Sequence, residues 1–84
     1  MIHTLKTVNP YFEDILNRKK QFEFRYNDRN FQIGDHIILL EFDNLNNTYS
    51  GRKISCVIKY ILPSYQGLLE NYVIIGFTIF YVGT

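Results

Sequence analysis

Three charged residues, Lys20, Glu23 and Arg25, lie in one short stretch and carry the groups best suited to chemistry in this chain. Residues two apart on a strand point to the same side, so Glu23 and Arg25 share a face and are close enough for an ion pair. In a cleft, the three would offer a planar donor fork and a point charge to a phosphate or base edge, and an acceptor to an amino group. The alternative is a solvated ion pair on an exposed strand face, worth at most about 1 kcal/mol, and residue types alone favour it.

The aromatic residues of the same stretch occupy the alternate positions. Phe22, Phe24 and Tyr26 point away from the charges, and we expect them to form a wall of the core. The chain has seven Phe and seven Tyr, and a small domain needs most of these rings in its core. The rings nearest to predicted turns or ends, where exposure for base stacking is possible, are Tyr11, Tyr26, Tyr49, Tyr65 and Tyr72.

Basic residues are concentrated in one window although the net charge is only +1. A protein that coats duplex DNA without sequence preference is usually more basic. Five of the nine Lys and Arg residues fall between positions 18 and 29, opposed there by Glu23 and Asp28, so this window has a net charge of +3. A local patch of this kind can hold a phosphate, and Arg29 extends it. The five basic residues are Arg18, Lys19, Lys20, Arg25 and Arg29.

The remaining reactive residue types indicate structural roles. The single Cys56 lies in an apolar run and is expected to be a buried, inert thiol. His3 and His36 lack metal-ligand spacing, so we expect no metal and no cofactor. His3 would line a cleft if the first strand pairs with the second. Asp28 and Asp35 are expected to cap turns. The apolar runs are too short for a membrane span, which predicts a soluble, cytoplasmic protein.

The hydrophobic pattern predicts a single domain over residues 1–84, of class α+β and mainly β. One helix follows the first strand, with Asn9 as N-cap, Pro10 in its first turn and basic residues in its last turn. Gly34 is expected to have a positive φ. One helix and about five strands predict a small closed or half-closed barrel plugged by the helix. The strands are predicted at residues 3–7, 21–26, 36–42, 52–62 and 72–82, with a loop at 63–71 that contains a helical turn at 67–70.

Several motifs in this order resemble the DUF3850 family, which belongs to the ASCH group of the PUA-like superfamily. The resemblance covers nearly the whole chain and implies a PUA-like β-barrel with one helix across it. Small members of the family are common in phages and prophages of Gram-positive bacteria. The matching segments are residues 3–6, Tyr11-Phe12, residues 19–25, residues 27–35, Leu40-Glu41-Phe42-Asp43, Tyr49-Ser50-Gly51-Arg52 and residues 72–77.

The resemblance also implies a site. ASCH and PUA-like domains are generally regarded as RNA-binding or modified-base-binding modules, with a cleft between the helix and the barrel. Lys20, Glu23 and Arg25 would line that cleft. Some bacterial relatives are amidohydrolases of an acylated cytidine that use a Lys, a Thr three residues later and a distant Glu. Lys20 matches the Lys, but Glu23 occupies the Thr position, so the hydroxyl nucleophile is missing from this motif.

Three functions follow as hypotheses. The favoured one is a binding module for RNA or a nucleotide-like ligand, with phosphate on Lys20, Arg25 and Arg29 and a donor on Glu23. His3 and Lys6 of the first strand complete its predicted ligand-binding residues. The second is a small hydrolase, amidohydrolase- or ribonuclease-like, in which Lys20 and Glu23 act as an acid/base pair. The third is a phage-encoded inhibitor that acts through a protein partner. Binding is favoured over catalysis.

Overall fold

The computed structural model describes residues 1–63 and 70–84. Within them, one helix and five strands follow one another along the chain, and the strands form one curled half-barrel sheet with the spatial order β1-β3-β4-β5-β2. The mainly-β prediction with one helix after the first strand is therefore confirmed. The elements are β1 (Ile2–Thr7), α1 (Tyr11–Leu16), β2 (Phe22–Tyr26), β3 (His36–Asp43), β4 (Thr48–Leu62) and β5 (Tyr72–Gly83).

Two predictions concern residues 64–69, which lie outside the part of the chain that the structure describes. They are the helical turn at 67–70, apart from its last position, and the position of Tyr65 near a turn. The predicted turn before β3 is present, because Gly34 has a φ of +93°. That conformation is unstrained only for a residue without a side chain.

The core lies inside the curl and is built mainly by aliphatic side chains of the three central strands. Strand β1 pairs with β3 in parallel, whereas the β3–β4 and β4–β5 pairs are antiparallel. Because side chains alternate along a strand, each central strand sends every second residue inward over most of its length. Each fully buried Leu, Ile or Val side chain contributes roughly 1.5–3 kcal/mol. The buried apolar side chains include Leu5, Phe12, Ile15, Ile37, Leu39, Ile54, Ile58, Val73, Ile75 and Phe77.

The prediction that most aromatic rings are buried is wrong. Among the described residues, four rings are buried, those of Phe12, Phe31, Phe42 and Phe77. Eight rings are more than two-fifths exposed, so the outer face of the half-barrel is rich in aromatic surface. The exposed rings belong to Tyr11, Phe22, Phe24, Tyr26, Tyr49, Tyr60, Phe80 and Tyr81.

The helix is shorter than predicted. It starts at Tyr11, and the N-cap residue is Pro10 and not Asn9 as predicted. The Asn9 side chain still accepts a 3.0 Å hydrogen bond from the backbone amide of Glu13. It ends at Leu16, and the chain then reverses at Arg18, whose φ is +64°. The basic residues 18–20 therefore lie in the connection to β2 and not in the last helical turn, so the predicted favourable interaction with the helix dipole is wrong. The reversal places Lys20 at the start of β2.

The side chains of β2 face the opposite way from the prediction. Strand β2 pairs antiparallel with β5, and Glu23 lies opposite Ile75, which is fully buried. Directly paired residues share a face of the sheet, so Glu23 points into the half-barrel and is only 4% exposed. Phe22 and Phe24 point outward and are 44% and 46% exposed. A shift of one residue would exchange these faces.

The edge strands β1 and β2 do not pair with each other through their backbones. Two arginines, one on β2 and one in the turn that follows it, connect them instead. The Arg25 Nη2 atom donates to the Lys6 carbonyl at 2.7 Å, and the Arg29 Nη1 atom donates to the Thr4 carbonyl at 2.7 Å. We call this contact the β1–β2 seam. Its two guanidinium groups satisfy carbonyls that an edge strand otherwise leaves to solvent or to another chain.

A second polar cluster fastens α1 to the hairpin of β3 and β4. The buried carboxylate of Glu41 accepts from Asn9 at 2.7 Å, from the Ser50 hydroxyl at 2.6 Å and from Arg52 at 2.7 and 2.8 Å. Arg52 also donates to Glu13 of the helix. The hydrogen bonds from Arg52 are the main cause that lowers the pKa of Glu41 to about 2, and the two carboxylates raise the pKa of Arg52. We call this set of five residues the polar clasp.

Candidate functional site

A cleft of about 580 Å³ opens beside β2, between that strand and the end of β1 with the start of α1. This volume lies within the range of small-molecule sites, roughly 300–1,000 Å³. Its wall combines exposed rings with three cations and one carboxylate, a net charge of +2. The lining residues are Lys6, Thr7, Val8, Tyr11, Lys20, Phe22, Glu23, Phe24 and Arg25.

Glu23 is the buried charge of this cleft. Its Oε1 atom accepts from Lys20 Nζ at 3.0 Å, and its Oε2 atom accepts from Arg25 Nε at 2.7 Å. An unpaired carboxylate inside an apolar barrel would cost several kcal/mol, and these two charge-assisted hydrogen bonds offset that cost. The arrangement is thus a fixed triad of one acceptor between two donors, and the expected solvated ion pair is not what the chain forms.

Lys20 is held at the mouth of the cleft by aromatic rings as well as by hydrogen bonds. Its Nζ atom lies 4.9 Å from the ring centroid of Phe22 and 5.5 Å from that of Tyr11. The same atom donates to the Phe22 carbonyl at 2.8 Å. These contacts lie within the range of cation–π attraction and immobilise a side chain that is usually flexible. Lys20 therefore presents its charge at a defined position.

Two predicted site residues lie away from the cleft wall. His3 is buried under the turn before β3, where its Nε2 atom lies 2.8 Å from Asp35 Oδ2. Since β1 pairs with β3, the condition for His3 to line a cleft with β2 is not met. The His3 hydrogen bond is the main cause that lowers the pKa of Asp35, and the Gln32 amide also donates to this carboxylate. Asp35 thus caps the turn as predicted. The second displaced residue is Arg29, whose guanidinium donates to the Thr4 carbonyl in the β1–β2 seam and does not line the cleft.

Lys6 lines the cleft but directs its charge elsewhere. Its Nζ atom lies 4.5 Å from the ring centroid of Phe42. Its carbonyl is the acceptor for Arg25. Of the six predicted ligand-binding residues, the structure therefore brings together the polar groups of Lys20, Glu23 and Arg25, with the backbone of Lys6 beside them.

Thr7 is a cleft residue that the sequence analysis missed. It is 3% exposed, and its hydroxyl is the one buried side-chain polar atom without a hydrogen-bond partner in the described part of the chain. The alternation of β1 places it inward like His3 and Leu5. Alternation alone would have indicated a buried position, but only the assembled cleft shows that the hydroxyl lacks a partner.

We expect Thr7→Val to leave the free energy of unfolding unchanged or to raise it by up to about 1 kcal/mol. Valine has nearly the same shape, and it removes a buried hydroxyl that makes no compensating hydrogen bond. Urea denaturation followed by circular dichroism measures the change. Thr78→Val, at an exposed position of β5, is the control and is expected to stay within about 0.5 kcal/mol. A loss of stability for Thr7→Val but not for Thr78→Val would mean that the Thr7 hydroxyl of the wild type makes a hydrogen bond.

Cys56 is buried at the centre of β4, as predicted. Burial, and next the charge of Glu23, raise its pKa to about 12, so its thiol is neutral at pH 7. No group of three or more His, Cys, Asp and Glu side chains in residues 1–63 and 70–84 is arranged to hold a metal ion. The same residues contain no helix long and apolar enough to cross a membrane.

The fold and cleft define a small mainly-β protein whose half-barrel holds a buried carboxylate between two cations at an edge strand. Residues 2–77 match the family described as "Domain of unknown function (DUF3850)". The match covers most of the chain, which therefore belongs to the DUF3850 family. The chain is also 36% identical over 74 residues to the "Uncharacterized 12.9 kDa protein in GpA 3'region" of Escherichia phage P2. This alignment covers 88% of the chain and 65% of the phage protein, just under two thirds of its length.

Proposed function

We propose that this protein is a binding module for RNA or a nucleotide-like ligand, and that the cleft beside β2 is its site. The observation that carries the proposal is the buried Glu23 carboxylate, fixed between Lys20 and Arg25 in a cleft with aromatic walls. Burying a carboxylate there while Phe22 and Phe24 face solvent is the reverse of the arrangement that burial energies alone favour. A ligand that combines a π-face, hydrogen-bond donors and negative charge fits all three properties of the cleft.

The triad keeps hydrogen-bonding capacity for a ligand. An ammonium has three donors and a guanidinium five, and two of each are assigned to protein acceptors among the described residues. A carboxylate has about four acceptor sites, and Glu23 uses two of them for these cations. The remaining donors of Lys20 and Arg25 suit phosphate or carbonyl oxygens, and the remaining acceptor sites of Glu23 suit an amino or ribose hydroxyl group.

We also propose that the half-barrel is a PUA-like domain of the ASCH group. Three features support this assignment. They are the element order β-α-β-β-β-β, a curled sheet whose core includes Phe12 and Ile15 of the short helix, and a cleft beside the Lys-x-x-Glu-x-Arg sequence. RNA binding through this cleft is what the group as a whole leads us to expect.

Binding of a short, fluorescently labelled single-stranded RNA of mixed sequence tests the proposed function. We expect the double variant Lys20→Ala/Arg25→Ala to bind at least about tenfold more weakly, because it loses charge-assisted hydrogen bonds. The control Lys53→Ala/Lys59→Ala removes the same charge from β4, outside the cleft, and is expected to retain most of the affinity. Fluorescence anisotropy at about 50 and 200 mM salt separates the cleft contribution from general electrostatic attraction.

A single variant can be used to test the site if the double variant does not fold. Phe22→Ser removes an exposed ring of the cleft wall and is expected to weaken binding with little effect on folding. Equal affinities of the wild type, the cleft variants and the β4 control would overturn the proposed site. Absence of RNA and nucleotide binding by the wild type would overturn the proposed function.

One contact favours a second candidate function. The 3.0 Å hydrogen bond between Lys20 Nζ and Glu23 Oε1 is the geometry of an acid/base pair. A small hydrolase of acylated nucleosides or of RNA would use it. Turnover of N-acylated nucleosides and of RNA, compared with Glu23→Gln, decides between the functions. Turnover that depends on Glu23 would replace the binding module with the enzyme.

A further inference from the structure

Three neighbouring aromatic rings, two of them exposed and one partly buried, lie next to the cleft. The ring of Tyr72 on β5 lies 5.1 Å from that of Phe24 and 5.4 Å from that of Tyr26, measured between centroids. Tyr26 and Tyr72 are direct partners across the β2–β5 pair, and both belong to the outer face. We call Phe24, Tyr26 and Tyr72 the aromatic platform. Phe24 and Tyr26 are 46% and 50% exposed, so part of each ring is available on the surface.

The aromatic platform is continuous with the cleft. Phe24 is a member of the platform and also lines the cleft beside Glu23. Arg25 lies on the opposite, inner face of β2, paired with the buried Val73, and its guanidinium is anchored at the seam beside the cleft. A nucleic-acid strand that leaves the cleft across the edge of β2 would therefore pass from a fixed cation to the rings of the outer face. Cations next to stacking rings are the features with which proteins bind single-stranded nucleic acids.

We propose that the ligand is a single-stranded oligonucleotide, one nucleotide of which occupies the cleft while its neighbour stacks on the aromatic platform. This inference rests on the proposed function and specifies its ligand class. A free mononucleotide fills only the cleft, whereas an oligonucleotide also uses the rings of Tyr26 and Tyr72. Duplexes are poor ligands, because their bases are already stacked on one another.

The length dependence of affinity tests this inference. Nucleoside monophosphates and single-stranded oligonucleotides of the same base are titrated against the wild type. We expect the oligonucleotides to bind at least about tenfold more tightly, as stacking of one further base provides. Tyr72→Ser is expected to remove this advantage while the affinity for the monophosphate stays unchanged. The control Tyr81→Ser removes a ring that is more exposed than that of Tyr72, 52% exposed, from the far end of the same strand and is expected to change neither affinity.

Several outcomes would overturn the inference. If monophosphates and oligonucleotides bind the wild type equally, the aromatic platform is not used, although the proposed function stands. The same conclusion follows if Tyr72→Ser lowers both affinities equally or lowers neither. If the wild type binds neither ligand, the proposed function fails together with this inference. Sedimentation that shows a dimer dissociated by Tyr72→Ser would assign the platform to self-association instead.

Discussion

Replacing Glu41 with glutamine is expected to lower the free energy of unfolding at pH 7 by about 3 kcal/mol. The pKa of Glu41 falls from 4.5 to about 2 in the folded protein, and each pKa unit corresponds to about 1.4 kcal/mol. Glutamine keeps the size of the side chain but removes the charge that Arg52 and the polar clasp surround. Its amide group also directs N–H donors at the donors of Asn9 and Arg52, so part of the network loses its acceptors.

The same variant has a characteristic pH dependence. The pKa of Glu41 is lower in the folded state, so the unfolded state takes up the proton first as the pH falls. The stabilisation is complete above pH 4.5, decreases as the pH falls below that value, and is lost near pH 2. Urea denaturation at pH 7, 4 and 3 measures the free energy of unfolding of both proteins. The difference between wild type and Glu41→Gln should become smaller as the pH falls.

Glu13→Gln is the matched control for this prediction. It removes the other carboxylate that Arg52 contacts, but this side chain is 43% exposed, and exposed ion pairs contribute at most about 1 kcal/mol. A difference between wild type and Glu41→Gln that stays constant from pH 7 to pH 3 would contradict the assigned cause. Equal losses for the two variants would contradict the central position of Glu41 in the polar clasp.

Replacing Arg25 with alanine is expected to lower the free energy of unfolding by about 2–3 kcal/mol. The change removes one of the two cations that balance the buried Glu23, and it leaves the Lys6 carbonyl without its donor. Arg25→Lys should recover only part of this loss. A single ammonium carries the charge, but it lacks the fork that reaches a carboxylate and a carbonyl together.

Arg29→Ala is the control that distinguishes the stability due to a seam hydrogen bond from the stability due to balancing the buried charge of Glu23. Arg29 donates to the Thr4 carbonyl of the same seam, but its side chain is partly exposed, and the carboxylate beside it is that of the exposed Asp28. We expect a loss of at most about 1 kcal/mol. Amide hydrogen exchange provides a second measurement, because Arg25→Ala should accelerate exchange in both β1 and β2. Equal losses in the free energy of unfolding for Arg25→Ala and Arg29→Ala would show that Arg25 does not stabilise the buried Glu23 carboxylate.

The sequence predicted the elements well because their signals are local. Alternating or continuous apolar residues identified β1 to β5, Asn9 and Pro10 marked the start of α1, and Gly34 marked a turn. Lys20, Glu23 and Arg25 were selected as a group because all three lie on or next to one short strand. The end of α1 was misjudged because apolar spacing stops at Leu16, while basic residues are equally compatible with a last helical turn and with a connection.

What the tertiary structure alone decided is the direction in which β2 faces. By itself, the alternation of rings and charges in β2 is compatible with either face inward, and apolarity favours the rings. The pairing of Glu23 with Ile75 and the hydrogen bonds from Lys20 and Arg25 select the other face. The hydrogen bonds within the triad are local, but the pairing of Glu23 with Ile75 joins elements far apart in the chain. The seam and the polar clasp also join distant elements. The sequence determined which charged residues stand together, and long-range pairing turned them into a cleft.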